Sequence, residues 1–235
     1  MMSNARSFVV RIAVLGLILA SAGIARATNE ISAAEQALFV DDRLGGLRPP
    51  LTLRYGYRKT GTLEEGFADK VDLILTAQPD GKCCAASAQF FTGARQLRQP
   101  DVESAQSNPV ILYFLERDIR EMERLTKGKA NYFRKRIRMA VFEGASIRNV
   151  SMQFRGRPVA VQEVSISPYL DDPNRSRFEK LASKQYVFML ANAVPGGLYG
   201  IRTRISGESA EAPALMVEEM FLDGAEPNAL PKRQP

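Results

Sequence analysis

Apolar and polar side chains alternate with a period of two from residue 51 onward. Leu51, Leu53, Tyr55 and Tyr57 fall on one side and Thr52, Arg54 and Arg58 on the other. That period marks a half-buried strand. A second run, from about Phe67 to Gln78, sets Val71, Leu73 and Leu75 against Lys70, Asp72 and Thr76. Pro79-Asp80-Gly81 is a turn, because proline presets one dihedral and glycine accepts positive φ. Lys82 to Thr92 reads as a third strand, so the three make an antiparallel meander.

The period then changes to that of a helix. Upstream, Ser32-Ala33-Ala34-Glu35 is a capping box that predicts a short helix to about Arg43, stopped by Gly45-Gly46. Asn108-Pro109 opens the clearest helix, with proline at the favoured first position. Ile111, Leu112, Leu115, Ile119, Met122 and Leu125 form its apolar stripe, and it ends near Gly128. Residues 131–142 fit two patterns. As a helix, Phe133, Ile137, Ala140 and Val141 oppose Arg134, Lys135 and Arg138; as a strand, Arg134, Arg136 and Arg138 oppose Phe133, Ile137, Met139 and Val141. Asn131 as a cap and Gly144 as a stop favour the helix.

Strands return after Gly144. Ile147–Phe154 and Val159–Ile166 flank a tight connection at 155–158, and Lys184–Ala191, Leu198–Ile205 and Leu215–Leu222 follow. Val159 and Val161 are out of phase with Val164 and Ile166, which predicts a bulge near Gln162-Glu163. Two groups of strands around inserted helices give an α+β class: a curved, half-barrel-like antiparallel sheet of about eight strands covering two central helices.

The first 27 residues do not share these patterns. Arg6 and Arg11 precede the apolar run Ile12–Ala20, and Ala25-Arg26-Ala27 satisfies the small-x-small rule. The run is shorter than the ~20 residues of a membrane span, so it reads as an export signal cleaved after Ala27 and points to the bacterial periplasm. Residues 28–223 read as a single domain, and the Pro-rich, polar stretch 224–235 as a disordered tail. The signal takes three arginines and no acid with it, so the net charge falls from +6 to +3 in a mature chain of 29 basic and 26 acidic residues. Bulk charge therefore makes no case for nucleic acid. The 235 residues contain no His and two Cys. That removes His-dependent triads, dyads and metal sites, and a four-cysteine zinc site. No cofactor motif is present.

Within these limits a few residues carry chemistry. Asp118 falls inside the apolar stripe, where a carboxylate is costly unless paired. Arg136 occupies the apolar side of the following helix, which suggests an Asp118–Arg136 contact; an arginine from a strand would serve equally. A buried general acid with a raised pKa is the functional alternative for Asp118. Arg134, Lys135, Arg136 and Arg138, with Tyr132, Phe133 and Phe142, form a basic patch suited to transient contact with an anionic membrane, or simply a solvated face. Cys83-Cys84 reads as a strained vicinal disulfide or as two small strand residues on opposite faces. Asp41-Asp42 and Asp171-Asp172 are carboxylate pairs with turn composition.

The stretch from Asn108 to Arg138, containing FLERDIREMERLTKGKANYFRKRIR, resembles a family of exported proteobacterial proteins without assigned activity, and that resemblance implies no functional residues. The order of elements also resembles the lipoprotein-carrier fold of the bacterial envelope, in which an open half-barrel wraps helices and holds acyl chains. Together these readings describe a non-enzymatic periplasmic binding or accessory protein with an apolar, lipid-like ligand. A protein-interaction module of an envelope complex is the alternative, and a carboxylate-based hydrolase a second one.

Overall fold

The computed structural model describes residues 31–81, 83–209 and 211–227. The stretch read as an export signal, and residues 228–235 of the expected tail, lie outside them. Ser32 caps the first helix as its motif requires: Ser32 Oγ accepts from Glu35 N at 3.1 Å, and the Glu35 carboxylate accepts from Ser32 N at 2.9 Å. The helix is α-helical over Ala33–Glu35 and π-helical over Gln36–Val40, together α1. It stops before Arg43 because Asp42 turns the chain, accepting from Leu44 N and Gly45 N.

The meander is β1 (Leu51–Thr60), β2 (Phe67–Ala77) and β3 (Cys83–Phe90), followed by the two-residue β4 (Leu97–Arg98). Then come α2 (Val110–Thr126) and α3 (Ala130–Glu143). The second group is β5 (Ser146–Phe154), β6 (Arg157–Ile166), β7 (Gln185–Leu190), β8 (Leu198–Ile205), β9 (Met216–Leu222) and the two-residue β10 (Ala225–Glu226). Residues 131–142 are helical. Phe133, Ile137 and Val141 are buried, whereas Met139, which a strand would turn to the same face, is 36% exposed, as a helix requires. Asn108 accepts from Val110 N through its side chain, while its amide donates to Tyr55 Oη and Gly196 O, tying the start of α2 to the sheet. Lys127, at positive φ, closes α2.

All ten strands form one antiparallel sheet in the order β10-β5-β6-β7-β8-β9-β1-β2-β3-β4. The α+β class with a curved sheet therefore holds, with two short strands more than the pattern predicted. The β9–β1 pairing joins the two groups, so the last long strand bridges the first meander and the later one. Only Asp223-Gly224 separates β9 from β10, yet β10 pairs with β5 at the opposite end of the β5–β9 group. These strands must therefore curl back upon themselves, as the right-handed twist of a sheet favours. β10 also corrects the start of the expected tail, since Ala225 and Glu226 belong to the sheet.

The expected bulge near Gln162-Glu163 is absent. β6 keeps unbroken register with β5 and β7. Its change of phase arises because both faces are covered: Val161 and Glu163 are buried on one, Val164 and Ile166 on the other. Irregularities fall instead at Thr76/Ala77 and Met189/Leu190. One sheet edge is protected, since Ala86 and Val102 exchange backbone hydrogen bonds of 2.8 Å across β3. At the other, β5 has an outer partner among the described residues only at Gln153 and Phe154.

α2 packs on the sheet face that carries Tyr57 and Tyr186, burying Ile111, Phe114, Leu115, Ile119 and Met122. Leu112, expected in the stripe, is 49% exposed. Phe133 of α3 meets Tyr169 and Phe178 with ring centroids 5.7 and 5.5 Å apart. Full burial of a side chain of this size stabilises by about 1.5–3 kcal/mol.

Candidate functional site

The face between α2 and the sheet is not purely apolar. Asp118 of α2, Glu218 of β9 and Lys184, which precedes β7, all have side chains at 0% relative exposure. Lys184 Nζ donates to Asp118 Oδ1 and lies 3.7 Å from Glu218 Oε2. Tyr186 Oη donates to Asp118 Oδ2 at 2.5 Å. Tyr57 Oη and Arg117 Nη2 both donate to Glu218 Oε1 at 2.5 Å, and Thr203 Oγ1 donates to its other oxygen at 3.1 Å. Arg117 also lies over the rings of Tyr57, Phe91 and Phe114, 5.3–5.7 Å from their centroids. Two cations thus meet two anions, and hydroxyls fill the remaining acceptor positions, as burial of charge demands.

Burial pushes the Asp118 carboxyl above its ordinary range, although Lys184 opposes that rise. Burial acts on Glu218 in the same sense, but Arg117 and Lys184 outweigh it and hold the group well below the usual range. The Tyr57 and Tyr186 hydroxyls are raised, first by burial and then by the adjacent carboxylates. Toward solvent the polar track continues: Lys59 Nζ donates to Glu64 and Glu121 at 2.7 and 3.1 Å, and Arg124 pairs with the same two acids. The cluster fastens α2 to strands from both halves of the sheet.

The predicted Asp118–Arg136 contact does not form. Asp118 is buried as its place in the stripe required, but its cation is a lysine from the opposite sheet group. Arg136 sits on the α3 face turned to the loop after β6, where Nε donates to Pro168 O at 3.1 Å and pairs with Asp172 Oδ2 at 2.9 Å. Asp172 has a fully buried side chain; its Oδ1 accepts from Tyr132 Oη at 2.6 Å and Asn174 N at 2.7 Å. The basic patch divides by contact. Arg134 pairs with Glu116 of α2 at 2.7 Å, whereas Lys135 and Arg138 are exposed and have no ion-pair partner among the described residues. Cys83 and Cys84 are joined in a disulfide, with Cys84 buried.

An open groove of about 450 Å³ lies beside Arg136. α3 contributes Arg136, Met139, Ala140 and Glu143; the loop after β6 contributes Pro168, Leu170 and Asp171. The ends of β5 and β6 and Gln185 complete it, with Ile166 among the apolar contributors. Met139 and Leu170 are 36% and 43% exposed, high for side chains of their size. None of Asp118, Lys184, Glu218 and Arg117 lines the groove. Among the described residues, no cluster of three or more acids or cysteines is placed to hold a metal ion.

Lys184, Glu218, Arg117, Tyr57 and Tyr186 were missing from the sequence candidates. A signal existed for two of them. Glu218 shares the strand phase of Met216, Met220 and Leu222, and Lys184 that of Tyr186, Phe188 and Leu190, so each is a charge on an apolar face, as Asp118 is.

No family model matches the sequence, and no curated protein matches it. Among solved structures, the chain is similar to the crystal structure of a LolA superfamily protein from Nitrosomonas europaea. The two are 8% identical, the match covers 84% of this chain and 91% of that one, and the TM-score is 0.22. That likeness is too remote to assign topology or ligand.

Proposed function

We propose that the chain is a non-enzymatic binding or accessory protein, exported to the periplasm and cleaved after Ala27, which seats an apolar, lipid-like ligand in the groove beside α3. The observation that carries this reading is the groove itself: exposed Met139 and Leu170 share it with polar groups that have no hydrogen-bond partner among the described residues, as ligand sites combine apolar walls with a few orienting groups. Asp118 and Glu218, whose protonation is shifted in opposite directions, are by contrast sealed between α2 and the sheet, where they bond to Lys184, Arg117 and tyrosine hydroxyls. Asp42 and Asp172 accept backbone N–H groups at turns, which accounts for these two acids without catalysis.

Native mass spectrometry of the protein purified from its own periplasm tests the reading. Co-purifying lipid, lost on Leu170→Asp, is the expected result; an empty protein that also takes up no added lipid refutes it. A second reading has its own observation. Ser146–Met152 of β5 has no outer neighbour among the described residues, and such an edge accepts an added strand. A stoichiometric envelope protein in place of lipid would favour that module. Lys135 and Arg138, beside exposed Met139 and Phe142, would then serve in either reading for brief contact with an anionic membrane surface.

A further inference from the structure

The groove is not uniformly apolar, and its charges follow a pattern. Arg136, Ala140 and Glu143 lie on one face of α3, spaced by four and three residues. Arg136 and Glu143 are therefore about 10 Å apart along the helix axis at the ~1.5 Å rise per residue. The groove carries a cation at the middle of α3 and an anion at its C-terminal end, with apolar Met139 between them. Asp171 of the facing loop adds a second carboxylate.

The state of these groups decides what the groove can accept. Arg136 uses Nε on Pro168 O and on Asp172, which leaves its two Nη groups without a partner among the described residues. Asp172 already balances its charge. Glu143 and Asp171 are exposed and have no ion-pair partner among the described residues. The summed charge of the lining is therefore negative, and a simple anion such as a free fatty acid would meet more repulsion than attraction. An ammonium group would find two unpaired carboxylates, and an acidic oxygen on the same ligand would find the free Nη groups.

Resting on the reading of this groove as a lipid site, we infer that its ligand is a zwitterionic amphiphile bearing an amine. The ammonium lies toward Glu143, within the negative field to which Asp171 adds, the phosphate-like oxygens toward Arg136, and the chain against Met139, Leu170 and Ile166.

The test uses the protein without its signal and three short-chain probes below their micellar concentration: dihexanoyl phosphatidylethanolamine, dihexanoyl phosphatidylglycerol, and glycerophosphoethanolamine, the amine headgroup without chains. Binding is measured by titration calorimetry. The amine lipid is expected to bind at least about tenfold more tightly than either other probe, the step one charge-assisted contact provides. The double variant Glu143→Gln/Asp171→Asn removes two exposed, unpaired carboxylates and should fold normally. It should lose that preference while keeping residual binding of both lipids. Phosphatidylglycerol binding as tightly as phosphatidylethanolamine, or a preference that survives the double variant, overturns the headgroup assignment and leaves the groove a lipid site. Equal binding of the chain-free headgroup overturns the role of the apolar wall. Failure of both lipids to bind refutes the lipid site as well.

Discussion

Replacing Asp118 by leucine is the sharpest test of the buried ionic cluster. The substitution exchanges the carboxylate for a branched apolar end and strips Lys184 of its nearest anion, leaving an ammonium of zero exposure whose closest carboxylate is 3.7 Å away. Removing one member of a buried pair costs about 3–5 kcal/mol. The Tyr186 hydroxyl also loses the acceptor it holds at 2.5 Å, for roughly another 1 kcal/mol. In a domain of this size each kcal/mol shifts Tm by about 2–4 °C, so Asp118→Leu should melt about 10–20 °C below the parent. Lys184→Met should fall comparably, because it leaves Asp118 buried without its cation. The double variant Asp118→Leu/Lys184→Met is the decisive arm. With both charges gone and Glu218 still held by Arg117 and Tyr57, it should lie within about 2 kcal/mol of the parent, far from the sum of the singles. Urea and thermal unfolding followed by far-ultraviolet circular dichroism measure all four proteins. Single variants within about 1 kcal/mol of the parent, or a double variant as unstable as the two losses added, would refute the cluster as a mutually dependent unit.

Three further outcomes follow from particular contacts. Glu121 is held down to about 2, chiefly by its hydrogen bonds to Arg124 and with help from Lys59, against the opposing effect of burial. Its contribution is thus present above its ordinary value near 4.5 and is lost as pH falls toward 2. After allowance for partial exposure this is about 1–2 kcal/mol, and Glu121→Gln should flatten the acid limb of a stability–pH curve by that amount. Arg136→Gln removes the cation beside the buried Asp172 carboxylate and should cost about 2–4 kcal/mol in urea unfolding, with faster proteolysis in the loop after β6; an unchanged cleavage rate there would contradict the assignment. Gly61→Ala places a Cβ 2.2 Å from Leu215 O at a φ of +136°, and should lower stability by about 1–3 kcal/mol; retention of the parental Tm would show that the 61–66 connection can move away from Leu215.

The chain alone determined what depends on neighbours in sequence. The Ser32–Glu35 box and the alternation in β1 and β2 each fix a local conformation, because cap hydrogen bonds and side-chain period act within a few residues; the Phe133, Ile137 and Val141 spacing of α3 fits helix and strand alike, and burial in the packed structure decides for the helix. The chain also placed Asp118 within an apolar stripe, where a carboxylate is costly unless paired. The identity of its partner was beyond reach. Lys184 is 66 residues away in sequence and becomes adjacent only when β7 enters the same sheet as β1 and β9. Arg136 was an equally reasonable partner by helix phase, and the turn of α3 toward Pro168 and Asp172 removed it. The change of phase in β6 had the same ambiguity: local pattern cannot distinguish a bulge from a strand covered on both faces. The groove beside α3 joins a helix, two strand ends and a loop, so no single segment carries its signature. Tertiary packing decided each of these, because pairing energy depends on distance in space and not on separation along the chain.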